Sequence, residues 1–335
     1  MTARTERSLV VAGPRSVSLE HRGRSSPSES EVTVRPKVVG LCGTDLEIID
    51  GRIDPAYVRY PLVLGHEWCG IVQGADGADQ VVVAEGIVPC GQCPRCREGR
   101  TNLCCTYDEI GFTRDGAAST QVCVPRDLVH VLGPSVDPAA AVLAEPASVV
   151  YQALRRAAPV PGWRILVVGD GTVGLLGVLL ARLWSPTVVD LIGGRRAQAD
   201  LAVRAGADSF RSSEDGPRGE YDLVIEAAGS SAAVVSALTA AHRGGVVLLL
   251  GLPAHGQATS IAVADVVNRD LTVHASFSYT SSAFGDVAAL LGSGSLDPSF
   301  LVTHRFPLEE WSDALQVLRE PAGARGKVVL EVECP

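Results

Sequence analysis

The sequence predicts an α/β protein of two domains, one β-rich and one built on a doubly wound parallel sheet. Three observations carry this. At 335 residues the chain is too long for one ordinary core. Between residues 8 and 130 it has short β-branched runs, Leu9-Val10-Val11, Val32-Thr33-Val34 and Val81-Val82-Val83, separated by Gly, Pro and Ser. From about residue 146 strands alternate with Ala- and Leu-rich stretches, the signature of βαβ units. Arg164 to Val168 reads as a buried strand, Leu175 to Trp184 as a helix apolar nearly all round, and Tyr221 to Glu226 and Gly245 to Gly251 as further strands. The tail from about residue 279 ends in another β-like run, Lys327 to Val332, and Arg24 to Ser30 reads as a polar loop.

The composition, 46% hydrophobic and 20% charged, is globular. A net charge of -9 argues against a nucleic-acid partner and for a small diffusible substrate. No apolar run is long enough to span a bilayer, and the polar start, Met1 to Arg7, leads into no signal-peptide core. The expectation is a cytoplasmic protein with no membrane partner. In that reducing compartment nine cysteines are not a disulfide framework, and a tight cluster of them reads as a metal site.

Cys90, Cys93, Cys96 and Cys104 form such a cluster, C-x2-C-x2-C-x7-C, with Gly91, Pro94 and Gly99 supplying turns. Four thiolates on one loop suit a closed tetrahedral zinc, which holds a loop and does no chemistry. An iron–sulfur cluster is the rival, because C-x2-C-x2-C also opens ferredoxin runs. Those runs continue C-x3-C-P, and no Pro follows the fourth cysteine here. A second constellation is looser: Cys42 in Gly-Leu-Cys-Gly-Thr-Asp, His66 in Gly-His-Glu, and Glu145 before Pro146. A thiolate, an imidazole and a carboxylate leave one zinc position open for substrate, although each residue alone also reads as core or surface.

Gly169-Asp170-Gly171-Thr172-Val173-Gly174 is G-x-G-x-x-G between a strand and a helix. The first Gly makes the turn, the second admits a pyrophosphate, and the third lets strand and helix pack. The helix N-terminus then offers N–H groups to the phosphates. The ribose-binding position at the end of the next strand falls at Gly193, followed by Gly194, Arg195 and Arg196. With no carboxylate and two guanidiniums, this favours NADP over NAD. The competing assignment makes Asp190 the ribose acid and leaves both arginines solvated. Leu191 and Ile192, which continue the strand, speak against it.

Together these residues resemble the zinc-containing branch of the medium-chain dehydrogenase/reductase (alcohol dehydrogenase) superfamily. The resemblance rests on Cys42-Gly43-Thr44-Asp45, Gly65-His66-Glu67, the four-cysteine lobe, Glu145-Pro146, the dinucleotide fingerprint and the closing Gly326-Lys327-Val328-Val329. Gly65-His66-Glu67-Trp68, Gly111-Phe112-Thr113-Arg114-Asp115-Gly116 and Glu145-Pro146 look most like polyol and cyclitol dehydrogenases, those of aminocyclitol antibiotic pathways included. Sorbitol and threonine dehydrogenases are similar too.

The resemblance implies a GroES-like catalytic domain at 1–147 and 280–335, with a structural zinc lobe at about 88–106. It places a Rossmann NAD(P)-binding domain at 148–279 and the active site in the cleft between the two. It implies two zinc ions, one structural and one catalytic. The catalytic ion is held by Cys42 and His66, with Glu67 or Glu145 as the third protein ligand. Gly251 and Leu252 join the cofactor-binding set. Zinc would polarise the substrate oxygen, Thr44 would take its proton, and hydride would pass to the nicotinamide. A homodimer or homotetramer is expected on the same basis.

Two departures from the family pattern stand out. Glu47 occupies the place of a His that ends the proton relay in relatives, so a carboxylate takes the outer relay position. The stretch Gly74 to Gln80 is shorter than usual and lacks Gly-Asp-Arg-Val. The expected activity is hydride transfer between a secondary alcohol carbon of a polyol, cyclitol or aminocyclitol and NAD(P). The alternatives are an NADPH-dependent aldehyde or ketone reductase in a biosynthetic pathway and, from another class, a dinucleotide-binding protein without catalysis.

Overall fold

Strand-forming runs in the first third of the chain pair through backbone ladders, and their buried faces converge on one core. The computed structural model describes residues 5–23, 26–74, 77–213, 220–253, 256–320 and 323–332. Parts of the expected polar start, of the loop at 24–30 and of the short stretch at 74–80 thus lie outside the described residues. A hairpin of β1 (Thr5–Gly13) and β2 (Ser16–Gly23) opens the chain. There follow β3 (Glu31–Leu41), α1 (Gly43–Asp50), β4 (Leu62–Val63), β5 (Glu67–Gln73) and β6 (Asp79–Ala84). The lobe helix α2 (Pro94–Arg97), β7 (Val122–Pro125), β8 (Val129–Val131), α3 (Pro138–Ala141) and α4 (Ala144–Ala157) come next.

Beyond α4 the chain alternates strand and helix. The elements are β9 (Arg164–Val168), α5 (Thr172–Ala181), β10 (Val188–Gly193), α6 (Ala199–Arg204), β11 (Ser209–Ser212), β12 (Tyr221–Glu226), α7 (Ser231–Ala240), β13 (Ala241–Leu249), α8 (Val263–Asn268) and β14 (Thr272–Ala275). The last elements are α9 (Ser281–Gly292), β15 (Val302–Pro307), α10 (Trp311–Arg319) and β16 (Lys327–Glu331).

Two units result. The first comprises Met1–Glu145, Thr280–Glu320 and Lys327–Pro335; the second comprises Pro146–Tyr279 and Pro321–Gly326. In the first, β15-β16-β3-β5-β6-β8 form one sheet and β2-β1-β4 another. The long β3 serves three partners, pairing with β7 through Glu31–Val34 and with β5 and β16 through its second half. Leu9, Val39, Leu41, Leu64, Trp68, Ile110, Val328 and Leu330 meet in its core.

The second unit is a six-stranded parallel sheet in the order β11-β10-β9-β12-β13-β14. That order is the dinucleotide-binding one, and it reverses between β9 and β12, where such sheets bind their ligands.

Three boundaries differ from the sequence reading. Helix α5 starts at Thr172 and ends at Ala181; a tight turn of 3-10 helix then reaches Trp184, closed by Ser185 in the left-handed region. Strand β13 begins earlier, at Ala241, and stops at Leu249. Leu250 and Gly251 both donate backbone N–H groups to the Glu226 carbonyl, which draws the chain out of the ladder.

The third difference corrects the assignment of all of 280–335 to the catalytic domain, since residues 321–326 belong to the second unit. The buried Gln198 amide donates to the carbonyls of Asp170 (2.6 Å) and Arg325 (2.8 Å) and accepts from the Arg325 N–H (2.7 Å). The Thr172 hydroxyl adds a bond to the Gly326 carbonyl.

Gln198→Ala should therefore strand three backbone groups and lower unfolding stability by about 1–3 kcal/mol, measurable in urea. A loss near zero would mean that the 323–326 segment is not held by this amide.

Candidate metal centres and dinucleotide loop

Cys42 follows the last residue of β3 and caps α1. Its Sγ accepts from the Thr44 N–H at 3.2 Å, while Asp45 accepts from the Cys42 N–H at 2.8 Å, a capping box with a thiol in place of a hydroxyl. His66 lies just before β5. Its backbone runs against a loop in which Gly111 and Gly116 leave no room for a side chain: a Cβ on Gly111 would stand 3.0 Å from His66 N. The Phe112 ring packs 5.0 Å from the imidazole.

These supports bring His66 Nε2 to 3.1 Å from Cys42 Sγ. Two such ligands on a tetrahedral zinc would be separated by roughly 3.5 Å, so the pair is close to ligating geometry. A Glu67 carboxylate oxygen completes the set, all three ligand atoms lying within 4.8 Å of one another. A thiolate, an imidazole and a carboxylate form the donor chemistry of an open zinc site, and the residues fit the ion.

Behind these ligands sit groups that the sequence reading left without a role. Asp45, fully buried, stands 3.5 Å from His66 Nδ1 and faces the ring nitrogen that points away from Cys42. Burial works against a charge on His66, but Cys42 and Asp45 outweigh it and hold the imidazole well above its ordinary value. Lys327, also buried, forms an ion pair with Glu67 Oε2 and reaches the Leu41 carbonyl at 3.4 Å. A Cβ on Gly40 would meet both side chains, at 2.6 Å from Glu67 Oε2 and 3.3 Å from Lys327 Cδ. Glu109, buried near His66, is pushed up to about 7 by its desolvation.

The remaining expected residues fall in different places. Glu145 is half-buried in the first turn of α4, outside the set of three close ligand atoms. Burial first, and then the Glu67 charge, push its carboxyl up to about 8. Thr44 is in the first turn of α1. Glu47 lies further along that helix and is gripped by Arg52, at 2.9 and 2.8 Å.

The four lobe cysteines converge as well, with all four sulfurs within 4.8 Å of one another. Cys93 Sγ and Cys96 Sγ are 3.5 Å apart, near the roughly 3.8 Å expected of two thiolates on one zinc. Backbone N–H groups of Cys105 and Cys96 bring the Cys93 thiol down to about 6, as a metal-binding thiolate requires. Gly91 and Gly99 take positive φ at the turns, and Cys105 is exposed and outside the cluster.

In the second unit, Gly169 turns the chain at φ 121°, Gly171 begins α5 with no side-chain cap, and a Cβ on Gly174 would collide with the Gly169 carbonyl. Thr172 and Val173 form the first turn and leave N–H groups for an anion. Gly193 is the last residue of β10. Asp190 lies within that strand and accepts from Ser209 (2.6 Å) and the Tyr221 hydroxyl (2.7 Å).

The structure separates the two arginines. Arg195 is clamped onto Asp170, whereas Arg196 is exposed and makes no ion pair among the described residues. Gly251 packs on the Gly229 backbone and Leu252 is 77% exposed. Glu226, missed from sequence, is fully buried and accepts from the N–H groups of Ala228 and Gly229 at the end of β12. Among the described residues no helix is long and apolar enough to cross a membrane.

Residues 28–134 match the alcohol dehydrogenase GroES-like domain, and residues 138–321 match the glucose dehydrogenase C-terminus. The chain is 31% identical to the L-galactonate-5-dehydrogenase of Escherichia coli (strain K12), over 89% of this chain and 91% of that protein. It is also 31% identical to an L-threonine 3-dehydrogenase of Saccharopolyspora erythraea, over 97% and 98%. Among solved structures, an NADP-bound protein of Sinorhizobium meliloti 1021 superposes with a TM-score of 0.90 at 28% identity, covering 98% of this chain and 99% of that one.

The metal site can be tested directly. Cys42→Ser should lose one bound zinc of two per chain by mass spectrometry and lose turnover, with its circular dichroism spectrum unchanged. Full turnover in that variant would sink the metal assignment.

Proposed function

The chain belongs to the zinc-type medium-chain dehydrogenase/reductase family, and we propose that it moves a hydride between a secondary alcohol carbon of a polyol or cyclitol and NADP. The family makes it an alcohol dehydrogenase using NAD(P). The observation that carries the finer reading is the convergence of Cys42, His66 and Glu67, backed by the carboxyls of buried Glu109 and half-buried Glu145, which suit a substrate rich in hydroxyl groups. Cyclitols, aminocyclitols and open-chain polyols share that chemistry.

Cys42 and His66 would hold the catalytic zinc, with Glu67 or Glu145 as third protein ligand, and Cys90, Cys93, Cys96 and Cys104 a structural one. Zinc in the open site polarises the substrate oxygen and lowers the pKa of its hydroxyl. The protein's own part is to orient and to move protons. Asp45 fixes the His66 ring, Lys327 fixes Glu67, and Thr44 takes the substrate proton. Glu47 stands at the outer end of that route, with its charge shared by Arg52.

Cofactor preference follows from charge. β10 ends in Gly193, which brings no carboxylate of its own, and Arg196 is free to meet a 2′-phosphate. An NADP preference suits a biosynthetic reductase acting on the corresponding ketone, the same chemistry in reverse. The outer edge of β14, with Val263, Val267 and Val273 exposed nearby, suits pairing with a second copy of the chain.

Arg196→Ala should raise the Kd of NADPH about tenfold and that of NADH less than twofold, by fluorescence titration. Equal losses would remove Arg196 from cofactor choice. In sedimentation the wild-type protein should run as a dimer or tetramer, and a monomer would remove the β14 edge from assembly.

A further inference from the structure

The strand-end position that selects between nicotinamide cofactors is not empty, although the sequence puts a glycine there. A Cβ on Gly193 would lie 2.5 Å from Asp170 Cβ and 2.7 Å from Asp170 Cγ. The Asp170 side chain, from the second position of the glycine-rich loop, therefore fills the volume that a residue-193 side chain would take. In dinucleotide-binding folds that volume holds the acid that hydrogen-bonds the ribose hydroxyls of NAD.

Arg195 balances the charge. Its Nε and Nη2 donate to Asp170 Oδ1 at 3.0 and 2.8 Å, its backbone N–H donates to Oδ2 at 2.7 Å, and Nη2 also reaches the Asp170 carbonyl at 2.9 Å. The pair is mostly buried, with 15% of the Arg195 side chain and 11% of that of Asp170 exposed. Arg195 Nη1 is buried with no hydrogen-bond partner, so the guanidinium keeps both N–H groups of Nη1 unspent beside the carboxylate.

We propose that Asp170 tunes the cofactor choice that Arg196 supplies. Its carboxylate, carried on the glycine loop, replaces the strand-end acid, and its hold on Arg195 withdraws that guanidinium from a 2′-phosphate. This rests on the reading of Gly169–Gly174 as a dinucleotide loop. The consequence is a protein whose NADPH preference, supplied by Arg196, is kept moderate by an acid from another part of the fold. Glycine at 193 is required because Asp170 occupies its side-chain space.

The test is fluorescence titration of NADPH and NADH into the full-length protein and three variants, with the melting temperature of each. Asp170→Asn removes the ribose acceptor charge and frees Arg195. The ratio of Kd for NADH to Kd for NADPH should rise about tenfold, through weaker NADH and tighter NADPH binding. Arg195→Ala leaves the carboxylate uncompensated, and the same ratio should fall about tenfold. The double variant D170A/G193D moves the acid to the strand end and should return the ratio to within about threefold of wild type.

Opposite shifts in the two single variants cannot come from partial unfolding, which weakens both cofactors together. Ratios that stay within about twofold of wild type, or that move in one direction in both single variants, would overturn the proposal. Wild-type protein that binds neither nucleotide would instead overturn the dinucleotide-loop reading, and this proposal with it.

Discussion

Beneath the metal ligands of the first unit, the rest of the site depends on one buried ion pair, Lys327 with Glu67. Both side chains are almost wholly removed from water. Removing one partner of such a pair typically costs about 3–5 kcal/mol, because the other charge is left without compensation. The pair also fixes Glu67, leaving its second oxygen 4.0 Å from His66 Nε2 and facing the same point as Cys42 Sγ. Several features serve it: Gly40 clears the space, the Leu41 carbonyl faces the ammonium, and β16 must pair with β3 in the register that sets Val328 opposite Leu41. That register explains why the chain leaves the first unit for a whole second fold and then returns. The last strand carries the charge that answers buried Glu67.

This pair also marks how far sequence reasoning reached. The lobe cysteines and the glycine loop were legible because their geometry is local: a few residues of turn set the sulfur positions, and a strand–turn–helix sets the phosphate cradle. Cys42, His66 and Glu67 were legible through family motifs, although only the β3–β5 ladder and the glycine-lined loop behind His66 explain why they meet. Asp45 carried a weak local signal, an acid three residues after a cap, obscured because the cap is a thiol. Lys327 carried none, since its partner is fixed by strand register across some 260 residues. Asp170 was hidden inside a motif read only for its glycines. Sequence spacing gave the two arginines equal standing, because it cannot reveal that the Arg195 guanidinium pairs with Asp170.

The two metal constellations divide their work by how they are made. The lobe draws four identical soft ligands from one short segment, with backbone N–H groups aimed at the sulfurs, so every position is filled from within. It is tied to α9 by the Thr101 hydroxyl, which accepts from the Ser281 N–H at 2.9 Å. The other candidate centre would take three different ligands, one from the end of β3 and two from the start of β5. Such a set cannot close on itself locally, and the open position is what makes it useful for chemistry.

Charge balance around that open centre gives the last constraint. Glu67 is answered by Lys327, and Asp45 by His66 and the Cys42 N–H. Glu109, which accepts from the Tyr107 hydroxyl, is pushed up to about 7 by desolvation, and Glu145 to about 8 by desolvation and the Glu67 charge. A divalent cation among Cys42, His66 and Glu67 reverses that balance, since its charge favours the ionised forms of the acids around it. A metal held there would need deprotonated ligands, so its binding would release protons and tighten as pH rises.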